Sequence, residues 1–129
     1  MIQKPIENLD VYKLAFDVAM RIFELTKSFP IEERFSLTDQ IRRSSRAVCA
    51  NCLRHGVSAG TREPSSFKLN DSEAEAAETQ TWLEFASRCK YLEGSQAKEL
   101  HEVYDRILGK LVRMIVHPLP WLLKPNRRT

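Results

Sequence analysis

Glycine is scarce in this chain, four in 129 residues, and none of the four belongs to a spaced set of the kind that cradles phosphate. No run of about 18 apolar residues occurs, which argues against a membrane span. Met1-Ile2-Gln3-Lys4-Pro5 lacks the apolar core of a signal peptide. Cysteines number three, an odd count in a chain without an export signal, which implies reduced thiols and a cytoplasmic location. No segment alternates apolar and polar residues with period two, so strands are not expected. The Glu-x-x-His pairs that carboxylate metal bundles require are missing. Cys49-x-x-Cys52 follows no strand, as a thioredoxin-like redox site would, and as a zinc site it could recruit only Cys89 and His55. Neither a metal nor a cofactor is expected, and the two cysteines read as small residues of a helix seam.

What remains is helix. At 129 residues the chain is one domain by length, able to bury roughly two thirds of its unfolded surface. Charged residues make up 29%, with a net charge of +3 and a pI near 8.9, which permits contact with nucleic acid without requiring it. A first helix over about 10–28, capped by Asn8 or Asp10, carries Val11, Leu14, Val18, Ile22 and Leu25 at steps of three and four. A second stripe, Tyr12, Phe16, Ala19 and Phe23, lies about 100° around the same helix. It reads either as a wide core face or as a contact with another copy. Phe29-Pro30 ends the helix, since a residue before proline disfavours helical backbone.

A second helix over about 37–53 opens at Ser36-Leu37-Thr38-Asp39, close to a capping box, with Leu37, Ile41, Ser44, Val48 and Cys52 facing inward. A third, about 65–91, starts at Pro64-Ser65-Ser66, with Phe67, Ala74, Ala77, Thr81 and Phe85 as its expected inner face. Gly94-Ser95 is expected to close that helix and cap a fourth, about 95–116, with Ala97, Leu100, Tyr104, Ile107, Leu111 and Met114 in register. His117-Pro118-Leu119-Pro120 stops it, leaving the apolar tail 117–129 around Trp121-Leu122-Leu123 to dock on a surface. Short connections imply antiparallel neighbours, so the expected fold is an all-α, antiparallel up-down four-helix bundle.

Candidate chemistry is sparse. His55, His101 and His117 are scattered, and no Ser-His-Asp arrangement follows from their spacing. Glu78, one position from Ala77, can pair with Arg42 or Arg43 across the bundle and fix helix register. Arg42, Arg43 and Arg46, with Arg54 and Arg62 beyond them, form a basic cluster suited to phosphate; Lys124, Arg127 and Arg128 form a second. The alternative for the arginines is a solvated helix face or pairing between subunits with Glu32 and Glu33. Tyr12, Phe16, Phe23 and Trp121 are the expected oligomer contacts.

Two stretches carry a family resemblance. Glu7-Asn8-Leu9-Asp10-Val11-Tyr12-Lys13-Leu14-Ala15 together with Phe29 to Ser45, and later Ala74 to Ala86 with Tyr91-Leu92, resemble the small bacterial four-helix bundle proteins first noticed as reading frames within intervening sequences of 23S ribosomal RNA genes. The resemblance implies an up-down bundle that assembles as a homopentamer, with no established activity. Relatives in diversity-generating retroelements bind nucleic acid and a reverse transcriptase. The expectation is therefore a non-enzymatic homopentamer that contacts RNA or DNA through the second helix, or else a structural scaffold without nucleic-acid binding; the sequence names no other protein partner.

Between residues 52 and 63 the chain departs from the family pattern, in which Ala-Glu, Ala-Trp and a basic run follow the asparagine. Leu53 to Thr61 can be encoded CTG AGG CAT GGC GTA AGC GCC GGT ACC. Without its first two bases that string reads Glu-Ala-Trp-Arg-Lys-Arg-Arg-Tyr, the missing motif. The resemblance thus implies an out-of-frame reading, restored near Pro64, in which case Cys52 and His55 have no biological meaning. Coding DNA that does not give the basic motif in the shifted frame removes this expectation.

Overall fold

The computed structural model describes residues 10–60 and 66–116, with side chains described except at 53–60 and 66–67. Four helices, α1 (Asp10–Thr26), α2 (Leu37–Gly60), α3 (Ser66–Arg88) and α4 (Gly94–Val116), make up nearly all of it, and no strand occurs among the described residues. Cross-helix contacts give the direction of each pair. Arg42 meets Thr26 and Cys49 meets Tyr12; Ser44 meets Thr79 and Cys52 meets Ser72; Asp10 meets Lys110 and Arg21 meets Glu99. Each low number faces a high one, so every neighbour is antiparallel and the chain runs up and down around one core. Packing is most extensive between α2 and α3.

The α1 stripe buries Val11, Ala15, Val18, Ala19 and Ile22, while Leu14 and Leu25 lie only half-buried at its edge. The inner face is thus rotated toward α2 and takes in Ala15. After Thr26 the chain leaves the helix through Phe29, whose ring is buried and packs, tilted at 46°, with its centroid 5.4 Å from that of Tyr91 in the far turn. A short 3-10 turn, Ile31–Glu33, follows Pro30.

The start of α2 differs from the capping box expected at Ser36 and Asp39. Ser36 donates its hydroxyl to Glu33 at 2.6 Å, and the same carboxylate accepts the Leu37 backbone N–H at 3.4 Å and the Tyr91 hydroxyl at 2.9 Å. The 3-10 turn brings Glu33 back over the helix start, so the anion at the positive end of the dipole is Glu33, backed by Asp39 in the first turn. The hydroxyls of Ser36 and, next, Tyr91 hold the Glu33 carboxyl below its ordinary value. The helix also continues past residue 53, to Gly60.

The inner face expected for α3 is wrong by most of half a turn. Ala74, Ala77, Thr81 and Phe85 are exposed, and Leu69, Ser72, Ala76, Thr79, Leu83 and Ala86 are buried; the Phe67 side chain lies outside the described residues. Ser72 and Thr79 mislead because they are polar. Each satisfies itself, Ser72 donating to the Val48 carbonyl and Thr79 to the Glu75 carbonyl, both at 2.8 Å. A hydroxyl bonded to a carbonyl is cheap to bury, and its small size lets α2 approach closely. Nor is Gly94 the closing residue of α3. Lys90 takes the left-handed conformation (φ 68°), with Tyr91 N–H bonded to Ala86 O and Lys90 N–H to Ser87 O, a Schellman cap built without glycine. On α4 the expected residues are all buried, with Val103 added.

Candidate nucleic-acid interface

Arg42 and Arg46 stand one helical turn apart on α2, on the flank that faces α1, while Arg43 is turned about 100° toward α3. That single step separates their fates. Arg43 reaches Glu75 at 3.1 Å and Glu78 still more closely, with a further bond from its Nε to Gln40. Glu78 also accepts the Trp82 indole N–H at 3.0 Å. Partial burial acts to raise the Glu78 carboxyl, but the Trp82 and Arg43 hydrogen bonds outweigh it and hold it below its ordinary value. The Glu78 bond in turn holds the Arg43 guanidinium above its own. Arg43 therefore ties α2 to α3 at a half-exposed site.

Arg42 and Arg46 converge on one ring instead. Their guanidinium carbons lie 4.8 and 5.7 Å from the centroid of Phe23, and the Lys27 ammonium lies 4.9 Å from it. Arg42 Nε donates to Thr26 Oγ1 at 2.8 Å, which fixes the fork over the ring. Lys27 pairs with Glu24, but among the described residues neither Arg42 nor Arg46 forms an ion pair. Three cations gather around an aromatic face, and among the described residues only Lys27 has an ion-pair partner.

Arg46 also borders an open apolar groove of about 340 Å³ between α1 and α2. Tyr12, Phe16 and Met20 form one wall and Cys49 and Ala50 the other, with Ala19 in the floor. The Tyr12 and Phe16 rings are 6.1 Å apart and tilted at 44°. Burial pushes the Cys49 thiol up to about 11 and raises the Cys52 thiol as well, so neither is poised as a nucleophile at neutral pH. Among the described residues no three His, Cys, Asp or Glu side chains come together as metal ligands would. His101 lies exposed beside Asp105 at 3.6 Å.

The structure thus brings Tyr12, Phe16, Phe23, Arg42 and Arg46 onto one face and sends Arg43 and Glu78 to another. The side chains of Arg54 and His55, and all of Arg62, His117, Trp121, Lys124, Arg127 and Arg128, lie outside the described residues. Lys27 and Met20 escaped the sequence reading. Their signal was the antiparallel hairpin itself: folding α1 on α2 about Glu33-Arg34 sets the span from Phe23 to Lys27 against Arg42 and Arg46. No helix among the described residues is long and apolar enough to cross a membrane.

Comparison with known proteins gives a family and a fold relative. The family described as "23S rRNA-intervening sequence protein" matches residues 7–113. A crystal structure of a protein with unknown function from the S23 ribosomal protein family, from Bacteroides thetaiotaomicron, superposes with a TM-score of 0.70 at 28% identity, covering 82% of this chain and 95% of that one. No curated protein matches.

Proposed function

Because the chain belongs to the 23S rRNA-intervening sequence protein family, we propose that it is a non-enzymatic, self-assembling bundle that binds RNA or DNA electrostatically through Arg42 and Arg46. One observation carries the reading: both guanidiniums rest over Phe23 without an ion pair among the described residues, held in place yet left uncompensated. Arginine forks so placed suit phosphate oxygens, and the binding they give is sequence-independent and salt-sensitive. Two such arginines are weak alone. Repeated around the homopentamer that the family resemblance implies, they act together on one polyanion.

A mixed RNA and DNA ladder, titrated at low and at high salt, tests this directly. Binding that weakens steeply with salt is expected; its absence at low salt refutes the reading. A second reading is a purely structural oligomer, favoured by Phe16 and Met20, which are 49% and 47% exposed on the same face. One face cannot both hold a strand and be covered by a copy. Under the first reading the subunit contact falls on the outer side of α3, where exposed Phe85 sits among Ala74, Ala77 and Thr81. Light scattering of Phe16→Glu and Phe85→Glu separates the two. A smaller species from Phe85→Glu alone supports nucleic-acid binding at α1–α2, and one from Phe16→Glu supports the scaffold.

A further inference from the structure

We propose that the groove between α1 and α2 is a subsite for one base of a single-stranded nucleic acid, with Arg46 and Arg42 on the phosphates beside it; this rests on the polyanion reading above. The groove is walled by two aromatic rings, and Phe16 shows half of its surface to solvent. Its volume, about 340 Å³, lies at the small end of the range for ligand sites. Its interior offers apolar and aromatic surface, and its rim offers positive charge. A base has a π-face for the first and a phosphate for the second.

Charge complementarity selects this occupant. Arg46 is both a lining residue of the groove and one of the cations over Phe23, so apolar and cationic surfaces are continuous. An uncharged apolar segment seated here would cover Arg46 without compensating it, which is unfavourable. The chain's own C-terminal residues bring Lys124, Arg127 and Arg128, the wrong sign. From Tyr12 to Phe23 the aromatic line runs about 16 Å along α1, flanked on the α2 side by the arginines. Duplex does not fit this arrangement, because its bases are stacked inside and present no free face to Phe16.

The test is fluorescence anisotropy with a labelled single strand of about 12 nucleotides and its duplex, using the full chain. The single strand should bind more tightly than the duplex. Phe16→Ala should weaken single-strand binding by at least about fivefold, the low end of one stacked base, and leave its salt slope unchanged. Phe16→Trp should retain affinity, with its emission quenched on binding. Arg46→Gln should instead flatten the slope by about 0.7. Phe16 is half-exposed, so these variants should fold, and thermal melts verify it. Duplex bound as well as single strand, or Phe16→Ala without effect, overturns the base subsite while the electrostatic reading stands. Loss of all salt-dependent binding in the unaltered chain removes both. A smaller assembly from Phe16→Ala marks the groove as a subunit contact and also overturns the proposal.

Discussion

The three neighbouring arginines of α2 should behave in two different ways when each is replaced by glutamine. Each phosphate neutralised contributes about 0.7 to the logarithmic salt slope on a single strand and about 0.9 on a duplex. Between about 50 and 200 mM salt, each contact therefore accounts for about a threefold loss of affinity. A strand that meets Arg42 and Arg46 once, neither of them ion-paired among the described residues, should lose about seven- to twelvefold, whereas three contacts would give about twenty- to fortyfold. Arg42→Gln and Arg46→Gln should each flatten the slope by one contact. Arg43→Gln should leave it unchanged, because Glu75 and Glu78 already neutralise that guanidinium. Its cost should appear in folding. Arg43 is 46% exposed and its partners 24% and 34%, so solvent screening limits the pair to about 0.5–1 kcal/mol, or about 2–4 °C in Tm. Losing Arg43 leaves two half-buried carboxylates facing each other, which favours the upper end. Binding isotherms at four salt concentrations and thermal melts of the same samples give both numbers. If Arg43→Gln flattens the slope as much as Arg46→Gln does, the division of labour between Arg43 and the Arg42–Arg46 pair is wrong.

The rotated face of α3 can be checked with a pair of adjacent substitutions. Ala76→Leu should overpack a fully buried site and cost about 1–3 kcal/mol, while Ala77→Leu on the exposed side should stay within about 0.5 kcal/mol; equal losses in denaturant melts contradict the register. Thiol titration at about pH 8 should find Cys89 reactive in the folded protein and Cys49 and Cys52 protected until unfolding, because burial keeps the latter pair protonated. For Glu33 the folded carboxyl is depressed below its ordinary 4.5, so its contribution is present above that value and is lost as the pH falls through the folded one. Thermal melts from about pH 7 to about pH 3 should therefore show a steeper acid loss in the unaltered chain than in Glu33→Gln, and parallel curves would refute the tether.

Much of the bundle could be read from residue spacing alone. On α4 the core residues are apolar and recur at three and four, so burial and period point the same way and each expected position is buried, while on α1 the stripe holds at Val11, Val18 and Ile22 but not at the half-buried Leu14 and Leu25. The α2 core follows as well, from Leu37 through Ile41 and Val48 to Cys52. On α3 the two signals conflict. Its buried face includes Ser72 and Thr79, and its exposed face includes Ala74, Ala77 and Phe85, so a hydrophobicity pattern selects the wrong side. The deciding fact is a hydrogen bond from each hydroxyl to a backbone carbonyl, which no one-dimensional pattern contains.

The site divides along the same line. Composition and spacing determined that the chain is helical, that its second helix is rich in arginine and that its first carries a second apolar stripe, without saying whether that stripe joins the core. Which arginine is ion-paired was a tertiary matter. Arg42, Arg43 and Arg46 are equivalent as letters, and only the positions of α1 and α3 on either side of α2 give one a pair of carboxylates and the other two an aromatic ring. Side chains 100° apart on a helix meet different neighbours, and charge is cancelled or left available by whatever those neighbours carry.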